Sequence, residues 1–200
     1  MKRIFPDYTY GPGPRKSCWW DETIAAPDWP CLNGDLSADV AVIGGGFTGI
    51  SAALHMVQKG ASVGLLEAET PGWGASGRNG GFCCLGGSKM NPVQMRRRHG
   101  ADETALYDRA EVAAVHLVAD LPQEHDIDAD THSDGETILA HSPRAMAQLR
   151  RATEGVLTER ADLPALGLNG PFHGALTLPV GFGLNPRKYL FGLAAAAQSA

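Results

Sequence analysis

Residues 39–66 decide the fold, and they read DVAVIGGGFTGISAALHMVQKGASVGLL. Residues 39–43 are short, apolar and rich in β-branched side chains, which predicts a strand buried on both faces of a parallel sheet. Residues 47–59 repeat apolar side chains at helical spacing, and Gly60 is a natural stop for that helix. A second apolar run follows at 61–66, so the stretch predicts a β-α-β unit.

The turn between this strand and helix matches the pattern G-x-G-x-x-G, because residues 44–49 read GGGFTG. In this context Gly44 allows a tight turn, Gly46 lets the backbone approach a pyrophosphate, and Gly49 lets helix and strand pack closely. Unpaired amides and the positive end of the helix dipole stabilise an anion there. We therefore predict dinucleotide binding, with contacts from Gly44, Gly46, Phe47, Thr48 and Gly49.

An acidic residue stands where such a unit needs one. Glu67 ends the second apolar run, eighteen residues after Gly49, and its carboxylate is expected to accept hydrogen bonds from the hydroxyls of the adenosine ribose. It also disfavours a ribose phosphate, and Ala68 beside it is a further candidate contact. These features alone leave NAD and FAD open.

A second glycine-rich segment, PGWGASGRNGG at 71–81, contains five glycines, which is too dense for a strand or a stable helix. Together with residues 39–69, it resembles the FAD-dependent oxidoreductases of the D-amino-acid oxidase (DAO) type. The resemblance is to the branch that is similar to gamma-glutamylputrescine oxidoreductase. SCWWDET at 17–23 and LNPRKYLFGLAAAAQSA at 184–200 also look like segments of this family.

The resemblance implies an α/β fold: a Rossmann-like FAD-binding domain with a parallel sheet, plus the start of a mixed α+β substrate domain. It places the second glycine-rich segment along the FAD pyrophosphate and ribityl chain, where small residues admit the cofactor and Ser, Asn and backbone N–H groups supply donors. Phe82 replaces a polar residue common in relatives. The positions that match flavin contacts are Ala75, Ser76, Gly77, Arg78, Asn79, Gly80 and Gly81.

The activity implied is oxidation of the C–N bond of a small-molecule amine or amino acid by hydride transfer to flavin, with dioxygen as the acceptor. No catalytic residue is named, because the substrate-facing residues of relatives come largely from a part that follows these 200 residues. Two alternatives stay open: an NAD-linked dehydrogenase, and a non-catalytic truncated fragment. The last helix runs to the end of the chain without a stop signal, so we expect a piece of a longer protein.

Four segments are expected along the chain: an N-terminal arm at 1–36, an FAD-binding segment at 37–100, an excursion into the substrate domain at 101–180, and a return at 181–200. Tryptophans 19, 20 and 29 are expected to pin the arm to a domain surface. Helices are expected at 104–121, at 143–157 and from Asn185-Pro186 onward. Two short strands are expected within 127–140 and one at 174–178.

The composition and charge of the chain indicate which classes of partner to expect. The formal net charge is −5 and the only basic run, residues 96–98, has no aromatic neighbours, so we expect a solvated helix face rather than nucleic-acid binding. We expect no membrane span, no metal site and a cytoplasmic protein. Cys18, Cys31, Cys83 and Cys84 are expected to be free thiols, although a Cys83–Cys84 disulfide or covalent cofactor attachment stays open. The oligomeric state is not indicated.

Overall fold

The computed structural model describes residues 17–200, so residues 1–16 of the expected arm lie outside the described residues. The chain divides into two compact units. The first contains the described residues up to Gly80, together with Pro122–Ala129 and Asn185–Ala200. The second contains Gly81–Leu121 and Asp130–Leu184.

The first unit begins with the expected β-α-β motif. Strand β1 is Val40–Ile43, helix α1 is Phe47–Gln58 and strand β2 is Val63–Leu66. The two strands are parallel, with Val40 opposite Val63 at one end. This confirms an α/β arrangement around the glycine-rich turn.

Helix α5, Pro186–Ser199, packs against α1 and forms the core of the first unit with it. The side chain of Asn185 caps α5 by accepting hydrogen bonds from the amides of Arg187 and Lys188, each at 3.2 Å. This confirms the helix expected from Asn185-Pro186. The buried apolar side chains of the two helices are Ile50, Ala53 and Leu54, and Tyr189, Leu190, Phe191, Leu193 and Ala194.

The expectation that β1 is buried on both faces is wrong. Exposure alternates along the strand, and Ile43 is 77% exposed. The parallel sheet has two strands among residues 17–200, and α1 packs against it. Side chains of β1 that alternate away from the core therefore face solvent.

The second unit is built on antiparallel strands. Its strands are Phe82–Cys83 for β3, Glu136–Leu139 for β4, Val156–Glu159 for β5, Gly174–Leu178 for β6 and Phe182–Gly183 for β7, and its helices are Pro92–His99 for α2, Ala101–Glu124 for α3 and Pro143–Leu149 for α4. Strand β6 lies between β4 and β5 in a three-stranded sheet, and β3 pairs with β7. Helix α3 begins in this unit, and its last three residues belong to the first unit.

Two expectations in this unit need correction. The helix expected over 143–157 ends at Leu149, where the amides of Arg151 and Ala152 close turns on the carbonyls of Gln148 and Leu149. Gly155 then adopts φ +94° directly before β5. Only β4 forms within 127–140, where two strands were expected. Asp130 and Ser133 adopt positive φ values of 49° and 68°, which interrupt the extended backbone. The strand at 174–178 and the helix over 104–121 are confirmed, the latter as part of α3.

The described part of the arm contains a short 3₁₀ helix, Trp19–Glu22. Trp29 packs against Phe191 of α5, with ring centroids 6.4 Å apart. Trp19 is 73% exposed, so the expectation that it pins the arm is wrong. The indole N–H of Trp20 donates to the backbone carbonyl of Asn79 in the first unit, so the expectation that Trp20 pins the arm is confirmed.

The arginines at 96–98 lie on α2, and all three are exposed, as expected for a solvated helix face. Over residues 17–200, no helix is both long enough and apolar enough to cross a membrane.

Candidate cofactor-binding site

The turn after β1 has the backbone geometry that its glycines predict. The amide of Gly44 donates to the carbonyl of Leu66 at 2.7 Å, which extends the pairing of the strands by one bond. Gly44 itself adopts φ +108°, a conformation that favours glycine. A Cβ on Gly49 would clash with the carbonyl oxygen of Gly44, so the close approach of α1 to this turn requires glycine at position 49.

Helix α1 begins at this turn and directs its first amides away from the helix body. Gly46 is the N-cap, and its carbonyl accepts the first helical bond, from Ile50 at 3.0 Å. Within residues 17–200, the amides of Gly46, Thr48 and Gly49 have no hydrogen-bond acceptor. Such orphan donors at the positive end of the helix dipole bind anions.

The hydroxyl of Ser76 meets the same helix end. Its oxygen accepts the amide N–H of Phe47 at 3.0 Å, and a Cβ added to Gly46 would lie 2.9 Å from it. The Phe47 ring packs edge-on against Tyr189, with centroids 5.6 Å apart. Phe47 therefore joins α1 to α5 through its side chain and to Ser76 through its backbone.

Glu67 follows β2 directly and turns its carboxylate toward the glycine-rich turn. Oε2 accepts the amide N–H of Gly45 at 2.7 Å, and Oε1 accepts that of Glu69 at 3.2 Å. A carboxylate has about four acceptor positions, so these two bonds leave capacity for hydroxyl donors. Ala68, next to it, is exposed.

The second glycine-rich segment lies against the first. The amide of Gly72 donates to the carbonyl of Gly45 at 2.9 Å. Residues Ala75–Gly77 form one turn of 3₁₀ helix, and a Cβ on Gly77 would clash with the Gly72 carbonyl oxygen. The predicted sites on residues 44–49 and on residues 75–77 are thus brought together.

Two predicted donors bond within this segment. Arg78 donates from Nε to the carbonyl of Trp73 at 2.8 Å, and Asn79 donates from Nδ2 to that of Ser76 at 2.9 Å. Both side chains therefore stabilise the turn. Gly80 is exposed at the end of the unit. Gly81 begins the second unit at φ +75°, and its carbonyl accepts the amide of Leu184 at 2.8 Å.

Two groups at this site were not among the expected contacts. The amide N–H of Gly45 donates to the carboxylate of Glu67, although position 45 is one of the x positions of the G-x-G-x-x-G motif, where any residue type fits the pattern. Trp20 donates its indole N–H to the carbonyl of Asn79 at 2.8 Å. No local pattern indicates either bond, because the partners are 22 and 59 residues apart.

The cysteines of β3 and its next residue do not show the properties of activated nucleophiles. Cys83 and Cys84 are free thiols, as expected. Burial, and then the neighbouring Cys84, raise the pKa of the Cys83 thiol to about 11. Burial and Glu136 raise the pKa of Cys84. Both thiols stay protonated at neutral pH, which disfavours their attack on a cofactor.

The first unit presents the features that a dinucleotide requires. Orphan amides at the start of α1 suit a pyrophosphate, and the absence of a side chain on Gly46 keeps that approach open. A carboxylate at the end of β2 suits ribose hydroxyls. The arrangement therefore fits the ADP part of FAD.

Comparisons with known proteins agree with this geometry. The model of a family described as FAD dependent oxidoreductase (DAO) matches residues 39–200. Gamma-glutamylputrescine oxidoreductase of Escherichia coli is 32% identical over 123 residues, which is 62% of this chain and 28% of that protein. The "Probable oxidoreductase OrdL" of Rhizobium meliloti is 34% identical over 159 residues, covering 74% of this chain and 34% of that protein.

Solved structures share the fold. The L-amino acid deaminase of Proteus myxofaciens superposes with a TM-score of 0.65 at 17% identity, over 88% of this chain and 40% of that one. The glycine oxidase of Geobacillus kaustophilus gives a TM-score of 0.59 at 24% identity, over 81% and 44%. The chain spans about a third of the length of its curated relatives, at 28% and 34%. On the family match and the loop geometry together, this chain belongs to the DAO family of FAD-dependent oxidoreductases.

Proposed function

We propose that this chain is the FAD-binding part of an oxidoreductase that oxidises the C–N bond of a primary or secondary amine or an amino acid. FAD, when bound, supplies the acceptor for a hydride from the substrate carbon, and dioxygen then takes up the electrons. The substrate also loses the proton on nitrogen, and water hydrolyses the resulting imine. The family match and the names of the relatives support this substrate class.

The observation that carries the proposal is the meeting of three groups at one turn: the orphan amides of α1, the Ser76 hydroxyl and the Glu67 carboxylate. In the proposal, Gly44, Gly46, Phe47, Thr48 and Gly49 hold the pyrophosphate. Glu67 and Ala68 meet the adenosine ribose, and residues 75–81 lie along the ribityl chain. The partial positive charge of the N–H groups at the start of α1 offsets the negative charge of the pyrophosphate, although the net charge of the chain is −5.

The proposal extends to the organisation of the whole protein. Residues 37–100 and 181–200 form parts of a Rossmann-like FAD-binding domain, residues 101–180 begin a mixed α+β substrate domain, and residues 1–36 form an arm.

The test is a reductive half-reaction on the protein purified at its natural length. We expect a yellow protein with flavin absorbance that bleaches when amines or amino acids are added without oxygen, and that recovers when air is admitted. A bleached flavin that recovers only with another acceptor would overturn the assignment of dioxygen. A colourless protein that gains thermal stability from NAD would overturn the FAD proposal.

A further inference from the structure

The arm segment, residues 17–23, is folded around its own acidic side chain. The amide of Cys18 donates to Oδ2 of Asp21 at 2.7 Å, and the hydroxyl of Thr23 donates to the carbonyl of Trp20 at 2.8 Å. These bonds close the 3₁₀ turn at Trp19–Glu22. The arm segment is therefore a preformed unit with its side chains in set directions.

Two of those side chains donate to the second glycine-rich segment. Trp20 bonds the carbonyl of Asn79 from its indole N–H at 2.8 Å, and the Cys18 thiol lies 3.6 Å from the carbonyl of Gly77. An indole N–H can only donate, so Trp20 requires a carbonyl at that place. Both acceptors lie at the end of the turn that carries Ser76.

The opposite side of the arm segment is fixed to the start of α5. Asp21 forms an ion pair with Arg187, and the side chains of the two are 24% and 15% exposed. Asn185 donates from Nδ2 to the hydroxyl of Thr23 at 2.9 Å. Because α5 packs against α1, the arm segment rests on the same core that holds the nucleotide-binding helix.

The contacts continue from the arm segment to the helix end. The indole N–H of Trp20 donates to the carbonyl of Asn79, and the side-chain amide of Asn79 donates to the carbonyl of Ser76. The hydroxyl oxygen of Ser76 in turn accepts the amide N–H of Phe47. We propose that the arm segment is a clamp that positions the second glycine-rich segment for FAD, with the Trp20 indole N–H as its positioning group. The inference rests on the proposed binding of FAD at this loop.

The test compares Trp20→Phe with Trp19→Phe in the protein purified at its natural length. The first change removes the N–H and keeps an aromatic ring, while the second alters an exposed neighbour in the same turn. Two quantities are measured: the Kd for FAD by quenching of flavin fluorescence, and the visible circular dichroism of the flavin at saturating FAD. The dichroism reports the surroundings of the bound flavin ring. A general loss of stability does not change those surroundings in folded protein that is saturated with FAD.

We expect Trp20→Phe to raise the Kd about fivefold or more, as for one lost hydrogen bond, and to change the flavin dichroism. Trp19→Phe should match the wild type in both. Equal values for Trp20→Phe and the wild type, or equal changes in the two variants, would overturn the clamp. Wild-type protein that binds no FAD would instead overturn the proposed function beneath it.

A second variant decides the question if Trp20→Phe does not fold. Asp21→Asn keeps the shape of the side chain but removes the charge that pairs with Arg187, so it loosens the arm segment while the Trp20 indole N–H stays in place. The clamp predicts a raised Kd and altered dichroism here too. Wild-type values in a folded Asp21→Asn protein would contradict it.

Discussion

The carboxylate of Glu67 accepts the amide N–H of Gly45 at 2.7 Å, so the acid proposed to hold the ribose also fixes the middle of the glycine-rich turn. Glu67→Ala removes both interactions. We expect it to weaken FAD and ADP binding by about 1 to 3 kcal/mol, measured by isothermal titration calorimetry. Glu69→Ala is the control, because that exposed residue bonds Glu67 through its backbone. Equal affinity in the two variants would count against the role of Glu67.

Gly46→Val is expected to abolish cofactor uptake. Its Cβ would lie 2.9 Å from Ser76 Oγ and would also block the approach of a pyrophosphate to the start of α1. The flavin-to-protein absorbance ratio after reconstitution with FAD measures the effect. Gly74→Ala is the matched control, because a Cβ there meets nothing within 4 Å. An unchanged ratio in Gly46→Val would contradict the site.

Asp21 gives the fold a dependence on pH. The hydrogen bond from the Cys18 amide lowers the pKa of Asp21, burial opposes it, and the charges of Arg187 and Arg78 lower it further. A lowered pKa in the folded state stabilises the protein above the unfolded value of 3.8, and this stabilisation is lost as the pH falls through the folded value.

We therefore expect Asp21→Asn to reduce the free energy of unfolding at pH 7, and to reduce it less as the pH falls below about 4. Urea unfolding across this pH range measures both. Parallel pH profiles for the variant and the wild type would show that Asp21 is not the group responsible.

The thiol of Cys83 is expected to react slowly with alkylating agents. Its pKa of about 11 leaves little thiolate at pH 8, whereas Cys31 is exposed to solvent. Mass spectrometry of peptides after timed exposure to iodoacetamide separates the two sites. Cys83 should be modified later than Cys31 and faster at higher pH. Modification at equal rates would contradict the protection that burial provides.

Asn185 is expected to contribute strongly to stability. It is 1% exposed, caps α5 and donates to Thr23. Asn185→Ala leaves these partners unpaired, so we expect a loss of about 2 kcal/mol in the free energy of unfolding. Asn91→Ala, at the exposed cap of α2, should cost about 1 kcal/mol or less. Equal losses by chemical denaturation would contradict the extra role of Asn185.

Local patterns predicted the elements whose causes are local. Apolar spacing and the glycine-rich turn defined β1, α1 and β2, and Asn185-Pro186 marked the start of α5. Burial of β1 could not be predicted this way, because it depends on what covers the sheet. The end of α4 was missed because apolar spacing continues past Leu149, although the chain turns there and enters β5 after Gly155.

The same distinction applies to the site. The glycines at 44, 46 and 49 follow from a short motif, since their spacing reflects the turn itself. The bonds of Glu67 to Gly45 and of Trp20 to Asn79 join distant parts of the chain, and only the fold brings them together. Arg78 and Asn79 were expected to face the cofactor, and their bonds inside the turn became visible only in three dimensions.

The start of α1 is proposed to hold the pyrophosphate of an adenine dinucleotide, and everything proposed for FAD depends on this contact. Amide chemical shifts of the ¹⁵N-labelled chain during titration with ADP test this contact residue by residue. We expect saturable shifts that are largest at Gly46, Thr48 and Gly49, whose amides have no acceptor within residues 17–200. No response at these amides, or a response confined to other parts of the chain, would contradict it.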